Sequence, residues 1–553
     1  MVTNEPTADV SLTPFSTHPD RYRHWTLVVE GPVARMSLEV QEEEGPEYLL
    51  KQNSYDLYVD IELSDAIQRV RFEHPEVKVV VFDSAVPRVF CAGANIYMLG
   101  KSTHAFKVNF CKFTNETRLG LEDLANQSGV KTIAALNGTA AGGGYELALA
   151  CEEIYLIDDG NSAVSFPEVP LLAVLPGTGG LTRIVDKRKV RRDLADIFCT
   201  VAEGVKGQRA KKWNLVDDVF PRSKWDECIQ GRVQAAIDAD PSDAGWTGVA
   251  LDDVAPELDG DSFTWNYVRL QVDPGARTAD LTVTGPAADA PDTADAMHAA
   301  GASFWALQAF RELDRALLHL RVDLPGINVV TVRTEGDRDS VLRLDAALYA
   351  ARDHGFVREV ILNMARVLRR MDLTAKSFFA LIEPGSCFAG SLFELALAAD
   401  RSYLLADDAG ENGIALSPLN GGVLPMSHEQ TRLAVRFIGD PGCIPVLLGR
   451  AGETFDAEAA DEAGLVTMSL DDLDFEDETR LALEERASLS PDALTGMEAS
   501  LRFPGAENCD SKIFGRLSAW QNWIFQRPNA VGPKGALTNY GQPTRPEFDY
   551  RRT

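Results

Sequence analysis

Three consecutive glycines, Gly142, Gly143 and Gly144, with Glu146 close behind them, stand out in the stretch IAALNGTAAGGGYELALACE (133–152). A short apolar strand (Ile133 to Leu136) meets the turn signal Asn137-Gly138. The glycines then open a helical run, Tyr145 to Ala150. Glycines at a helix start leave main-chain N–H groups unpaired at its positive end, with no side chain to keep a ligand away. Such a turn can hold an oxyanion. Glu146 lies three residues beyond Gly143, so one turn carries both an electrophile stabiliser and a candidate acid or base. Taken alone, a glycine-rich turn from strand to helix equally serves close packing.

The elements that must position this turn alternate between helix and buried strand. Trp25 to Glu30 and Ala34 to Val40 read as a hairpin joined through Gly31-Pro32. Tyr55 to Phe72 has helical periodicity, with Leu57, Ile61, Ala66, Ile67 and Val70 on one broad face. Pro75 breaks that helix, and Val77 to Phe82 reads as a strand buried on both sides. CAGANIYM, within 88–98, reads as a strand end turning into a helix, and Ile154 to Ile157 as a further strand. This order predicts an α/β sheet with crossover connections.

The second half repeats the order. Tyr267 to Val272 and Ala279 to Val283 echo the hairpin, and FAGSLFELALAADRSYLL echoes AAGGGYELALACEEIYLI. Pro325 follows Pro75 by 250 residues, Glu394 follows Glu146 by 248, Tyr403 follows Tyr155 by 248, and Val466 follows Val216 by 250. Four anchors at nearly one offset indicate an internal duplication. The copies differ where chemistry would sit. Ser391 and Leu392 stand opposite Gly143 and Gly144, Leu416 stands opposite Glu168, and a mostly helical stretch (Asp339 to Met371) replaces CAGANI. The second copy therefore reads as scaffold or lid. Ala239 to Ser262 reads as linker, GPAADAPDTADAMHAAGA as an insertion, and the region from Glu476 to Phe525 as helical. The last 25 residues read as irregular, with Trp520, Trp523 and Phe525 expected to be buried in docking them.

A length of 553 residues, 45% hydrophobic and 25% charged, suits a soluble globular protein of several domains. A formal charge of −29 argues against nucleic acid, whose phosphates need a basic surface. No apolar run is long enough to span a bilayer and the N-terminus has no signal pattern, so a cytoplasmic location without membrane contact is expected. Eight scattered cysteines without a CxxC pair, and eight histidines without an HxxxH pair, suggest neither disulfides nor a metal site.

CAGANI followed by NGTAAGGGYELALAC, then FPEV and LPGTGG, resembles the crotonase (enoyl-CoA hydratase/isomerase) superfamily, whose usual pattern is CAGAD followed by NGxAxGGGxEL. The resemblance implies an α/β fold of two tandem crotonase-like modules of the spiral type shared with ClpP, the second degenerate, plus a C-terminal helical region. The expected division is a polar tail 1–20, a catalytic domain 21–238, a linker 239–265, a second domain 266–475 and a helical and irregular region 476–553. It also implies that the N–H groups of Ala94 and Gly143 form an oxyanion hole for a thioester carbonyl, with Glu146 and Glu168 as the acid/base pair. Two carboxylates in different environments can activate water and protonate an oxygen leaving group. FPEV lacks two residues of the common F-G-x-P-E spacing, which bears on Glu168. Cys111 falls on the helix expected to line the acyl pocket, where its thiol could position water. Asn95 replaces the usual Asp and is expected to cap the following helix. Arg88, Asn95, Lys101 and Gly142 are the expected substrate-binding positions, with Lys107 a further basic group near the CoA phosphates.

The long duplicated chain, KQNSYDLYVDIELSDAI and NAVGPKGALTNYG resemble a branch of that superfamily serving aerobic benzoate degradation. The resemblance implies ring opening of an epoxidised benzoyl-CoA with release of formate, with no cofactor beyond the CoA of the substrate. A homo-oligomer, expected to be a dimer, follows from the same resemblance. Two rival readings are an ordinary enoyl-CoA hydratase or isomerase using the same hole, and a non-catalytic acyl-CoA-binding scaffold. Intact Gly143, Glu146 and Glu168 in the first half speak against the scaffold.

Overall fold

The structure is a computed structural model that describes residues 12–42, 50–240, 244–407, 411–505 and 507–553. These fall into two compact units, Phe15–Asp253 and Val254–Thr553, the second including the N-terminal stretch up to Pro14.

In the first unit β1 (Trp25–Glu30) and β2 (Val33–Leu38) form a hairpin turned at Gly31, whose φ of +55° suits a residue without a side chain. After β3 (Ser54–Tyr55), the Asp56 side chain accepts the Tyr58 and Val59 N–H groups and so starts helix α1 (Leu57–Glu73). Then come β4 (Val79–Ser84), β5 (Arg88–Cys91), β6 (Gly93–Ala94), α2 (Ile96–Lys101) and the long α3 (His104–Ser128). β7 (Lys131–Leu136) and β8 (Gly138–Ala141) lead into α4 (Gly143–Ala150), followed by β9 (Glu153–Asp158), β10 (Ala163–Ser165), β11 (Val205–Lys206) and β12 (Asp218–Pro221). The main sheet runs β1-β2-β4-β7-β9-β12, parallel throughout after the hairpin. A smaller sheet, β11-β10-β8-β5, and the short parallel pair β3-β6 complete the unit. Helix Trp225–Ala239 covers one face of the main sheet through Ile229, packed on Val79, Val81, Ile133 and Tyr155. That cover explains why β4 is apolar on both faces.

The second unit builds its sheet in the order β13 (Glu257–Asp259), β14 (Ser262–Thr264), β15 (Val268–Asp273), β16 (Thr278–Thr284), β17 (Val329–Glu335), β18 (Ser377–Ile382), β19 (Arg401–Leu405) and, at the far edge, β22 (Met468–Leu470). Between the last two in sequence, β20 (Ile414–Ala415) pairs with β21 (Thr454–Phe455). From β15 onward the pairing is one antiparallel hairpin followed by four parallel steps, the same order and sense as β1 to β12. Helix Asp472–Ser488 lies on this sheet through Phe475, Ala482 and Ala487, against Val329, Phe379, Leu381 and Tyr403.

Four expectations are corrected. The end of the expected linker forms β13 and β14, because Gly260-Asp261 makes a two-residue hairpin turn, with Gly260 at φ +58°. A boundary at 475 falls inside a helix whose apolar face closes the second sheet. The polar tail is anchored in its described part: Thr13 donates its N–H and hydroxyl to the Asp323 carboxylate, and Phe15 is buried against Phe113. Residues 1–11 of that tail lie outside the described residues. Phe525 is 53% exposed and Trp520 and Trp523 are half-buried. The tail is instead secured by Arg552, buried and bonded to the Asn328 carbonyl, Ser377 and Glu498. Among the described residues all eight cysteines are free, no helix is long and apolar enough to cross a membrane, and no group of three His, Cys, Asp or Glu residues could hold a metal ion.

Candidate active site

The structure brings the two glycine turns together. Gly93, at φ +91°, has no room for a side chain: a methyl group there would lie 3.1 Å from the Gly143 nitrogen and 2.8 Å from the Ala141 carbonyl oxygen. Tyr55 pairs with Ala94 in the parallel ladder, and its carbonyl takes the Asn95 N–H at 2.8 Å. In such a ladder the residues flanking Ala94 make the bonds, so Ala94's own N–H faces the other way. Gly143 begins α4, where the first N–H groups have no partner within the helix. Each glycine of the triplet has its own reason. Gly142, at φ +51°, would press a methyl to 2.5 Å from the Glu168 Oε1, and Gly144 would press one to 2.5 Å from the Cys91 carbonyl oxygen.

Glu146 lies one turn into α4, 2% exposed. Its Oε1 accepts the N–H groups of Thr178 (2.9 Å) and Gly180 (2.8 Å), and its Oε2 accepts the Thr178 hydroxyl. Burial pushes this carboxyl group up, and the three donors from the LPGTGG loop oppose that rise. Glu168 opens a short π-helical turn (Glu168–Leu172), and its Oε2 is buried with no hydrogen-bond partner among the described residues. Burial, with the Glu146 charge adding, pushes Glu168 up to about 7. One carboxylate is therefore ringed by donors, while the other is desolvated and poised to hold a proton near neutrality. Past Glu168, the apolar Val169, Leu171, Val174 and Leu175 are exposed, as are Ile96 and Tyr97 on α2.

Cys111 is half-buried on α3, and burial together with the Glu146 and Asp60 charges pushes its thiol up to about 11. It is a neutral thiol at physiological pH, not a thiolate nucleophile. Asn95 is buried and caps α2, its Oδ1 accepting the Met98 N–H at 2.8 Å. Gly142 gives its N–H to the Ser165 carbonyl at 2.9 Å. Arg88 and Lys101 are exposed, Arg88 at φ +66° beside Gly138, and Lys101 in the last turn of α2. Lys107 is half-buried on α3.

An enoyl-CoA hydratase/isomerase family model matches residues 50–241. A benzoyl-CoA-dihydrodiol lyase from Aromatoleum evansii is 53% identical over 553 residues, covering 100% of this chain and 99% of that one. The chain belongs to the enoyl-CoA hydratase/isomerase family. Among solved structures, an enoyl-CoA hydratase from Geobacillus kaustophilus HTA426 is 34% identical, covering 39% of this chain and 75% of its own, with a TM-score of 0.34. A putative enoyl-CoA hydratase from Thermobifida fusca YX in complex with CoA is 22% identical, covering 39% and 79%, with a TM-score of 0.33.

Three residues of this family member's site escape a reading of its motifs. Thr178 sits inside LPGTGG, where the glycines draw attention away from a hydroxyl that binds Glu146. Tyr55 precedes α1 and looks like the first apolar residue of that helix, yet its ring lies against Gly143. Arg118, on α3, is buried, paired with Asp60 at 2.9 Å, and stands 5.3 Å from the centre of the Tyr55 ring. An arginine at that helical spacing carries no sequence signal of its own.

Proposed function

We propose that this chain is a benzoyl-CoA-dihydrodiol lyase that converts 2,3-epoxy-2,3-dihydrobenzoyl-CoA and two waters into 3,4-didehydroadipyl-CoA semialdehyde and formate. The observation that carries the reading is the 53% identity running end to end with the Aromatoleum evansii lyase. The site geometry supports the mechanism. Glu146, surrounded by donors that favour its ionised form, accepts the proton of an attacking water. Glu168, protonated near neutral pH, delivers a proton to the epoxide oxygen as the C–O bond breaks. The ring opens to an aldehyde, and a second water adds to the carbon that leaves as formate. C–C cleavage leaves an electron pair on a carbon conjugated to the thioester, and that charge passes to the thioester oxygen, where the Ala94 and Gly143 N–H groups receive it. The Cys111 thiol orients a water beside Glu146. Atoms balance with two waters and no net oxidation, so the reaction itself calls for no redox cofactor, and CoA enters as the acyl carrier of the substrate.

Val254–Thr553 reads best as a degenerate second copy of the same architecture. The matching strand order supports this, as does a helix, Gly390–Ala398, that again opens on a glycine at positive φ (+44°) and carries Glu394. A bidentate arginine–carboxylate pair recurs as well: Arg183 with Glu122 in the first unit, Arg432 with Asp372 in the second, at offsets of 249 and 250. Assembly of whole chains into a homodimer is the companion proposal, checked by sedimentation. The function is tested by supplying purified protein with the epoxide and with crotonyl-CoA. Formate and the semialdehyde thioester are expected from the first. Hydration of crotonyl-CoA without formate release from the epoxide would replace this reading with an ordinary hydratase.

A further inference from the structure

Tyr55 reaches from one half of the donor pair to the other. Its main chain forms the ladder partner of Ala94 and holds Asn95 through a 2.8 Å hydrogen bond. Its side chain crosses to the other turn: a methyl on Gly143 would lie 2.1 Å from the Tyr55 hydroxyl and 2.8 Å from Cε1 and Cζ. The ring is clamped in between. Phe110 packs on it at 5.9 Å between centres, and Arg118 stands 5.3 Å from its centre, itself fixed by Asp60. Asp60 is held in turn by the Thr114 hydroxyl. The residue is 3% exposed, and its hydroxyl is buried with no acceptor among the described residues. A buried hydroxyl without a partner is a cost to stability that phenylalanine would avoid. The hydroxyl is also the atom that meets Gly143.

We infer that Tyr55 is the positioning residue of the oxyanion hole: its backbone sets the Ala94 strand, and its hydroxyl braces Gly143, so that one rigid side chain fixes the spacing of the two N–H donors. This deepens the proposed function and rests on its assignment of Ala94 and Gly143 as donors to the thioester oxygen. Preorganised donors act only where their geometry matches the developing charge, so a small loss of alignment appears in turnover more than in binding.

The test uses Tyr55→Phe in the full chain, a change that removes no internal hydrogen bond and is expected to fold. The kcat on the epoxide should fall about 10- to 100-fold while KM moves by less than about threefold. Bound benzoyl-CoA labelled with carbon-13 at the thioester carbonyl gives the second readout. The wild-type enzyme should lower the carbonyl stretching frequency, and the variant should lose a clear part of that lowering. No lowering in the wild type would overturn the oxyanion-hole assignment, and this inference with it. A full lowering and unchanged turnover in Tyr55→Phe would overturn the role of Tyr55 alone. Gly143→Ala supplies an independent check, because its methyl meets the hydroxyl that Tyr55→Phe removes. The double variant should be more active than Gly143→Ala, and simply additive losses would count against the brace.

Discussion

Glu146 and Glu394 sit at matching places on helices that each begin with glycine, and their surroundings diverge at one link. In the first unit Arg183 spends two nitrogens on Glu122, both at 2.9 Å, and gives a third N–H to the Thr178 carbonyl at 3.0 Å. Thr178 then faces Glu146 with its N–H and hydroxyl. In the second unit Arg432 likewise grips Asp372, but its remaining nitrogen reaches Glu394 directly at 2.9 Å. Asn420 also donates to Glu394, at 2.6 Å. Burial pushes both carboxyl groups up; at Glu394 the Arg432 cation leads the opposition, with Asn420 adding, whereas at Glu146 the Thr178 and Gly180 hydrogen bonds lead it, with the Arg118 charge adding. A carboxylate locked to a guanidinium gives up its charge reluctantly. The Thr178 loop therefore stands between Glu146 and Arg183, whereas in the second unit Arg432 meets Glu394 directly.

The main-chain donors tell the same story. Gly143 opens its helix beside Gly93, whereas Ser391 donates its N–H to Asp345 at 2.7 Å. Asp345 also takes the Ser391 and Ser417 hydroxyls, each at 2.7 Å, so a carboxylate from within the second unit fills the place where the first unit would receive a substrate oxygen. Under the proposed duplication, one architecture would serve as a reaction site where its turn is open and as scaffold where its own side chains close it.

Paired substitutions can break this comparison. The largest effect is expected at the two glutamates. Glu146→Gln should lower kcat about 1000-fold, within the range for a general acid or base. Glu394→Gln should leave turnover per folded molecule within about threefold yet lower stability by about 3 kcal/mol in urea unfolding, because it strands part of a buried ion pair. Equal losses of activity from both changes would erase the distinction. Next, Gly143→Ala should cost about 100-fold in kcat, comparable to loss of one oxyanion donor, while Ser391→Ala should leave steady-state rates unaltered.

The proton-donor role given to Glu168 sets a pH dependence. With its carboxyl group raised to about 7, the acid form is present below that pH and is lost above it. Turnover should therefore fall about tenfold for each unit above about pH 7, and Glu168→Gln should abolish that limb along with most of the rate. The smallest effect is expected at Asp345. Burial raises its carboxyl group to about 7 in the folded chain, so the native state holds a proton that the unfolded chain releases at lower pH. Stability should thus decline as pH rises from about 4 to 7. Asp345→Asn should flatten that decline by about 1 kcal/mol or more between pH 5 and 8.

Much of the fold was legible because it rests on periodicity. The hairpin, α1, the doubly buried β4 and the four offset anchors all follow from apolar spacing and turn residues. CAGANI and the glycine triplet were legible as a pair because glycine is demanded where there is no room for a methyl, at Gly93 against main chain and at Gly143 against the Tyr55 ring. What stayed hidden depends on contacts distant in sequence. The Arg183–Glu122 pair joins residues 61 apart, and its echo in Arg432–Asp372 joins residues 60 apart. Thr178 and Tyr55 are ordinary residue types whose importance comes from what the fold sets against them. Phe525 misled because an apolar residue near a chain end suggests burial, whereas helix Ser518–Ile524 and the residues beside it leave part of their apolar surface exposed.

Formate measured from 2,3-epoxy-2,3-dihydrobenzoyl-CoA in a single turnover, with wild type, Glu146→Gln and Glu394→Gln side by side, is the most direct test that chemistry belongs to the first unit alone. Rapid formate release is expected from the wild type and from Glu394→Gln, with release about 1000-fold slower from Glu146→Gln. Undiminished release from Glu146→Gln, or its loss in folded Glu394→Gln, would contradict the division of labour between the two units.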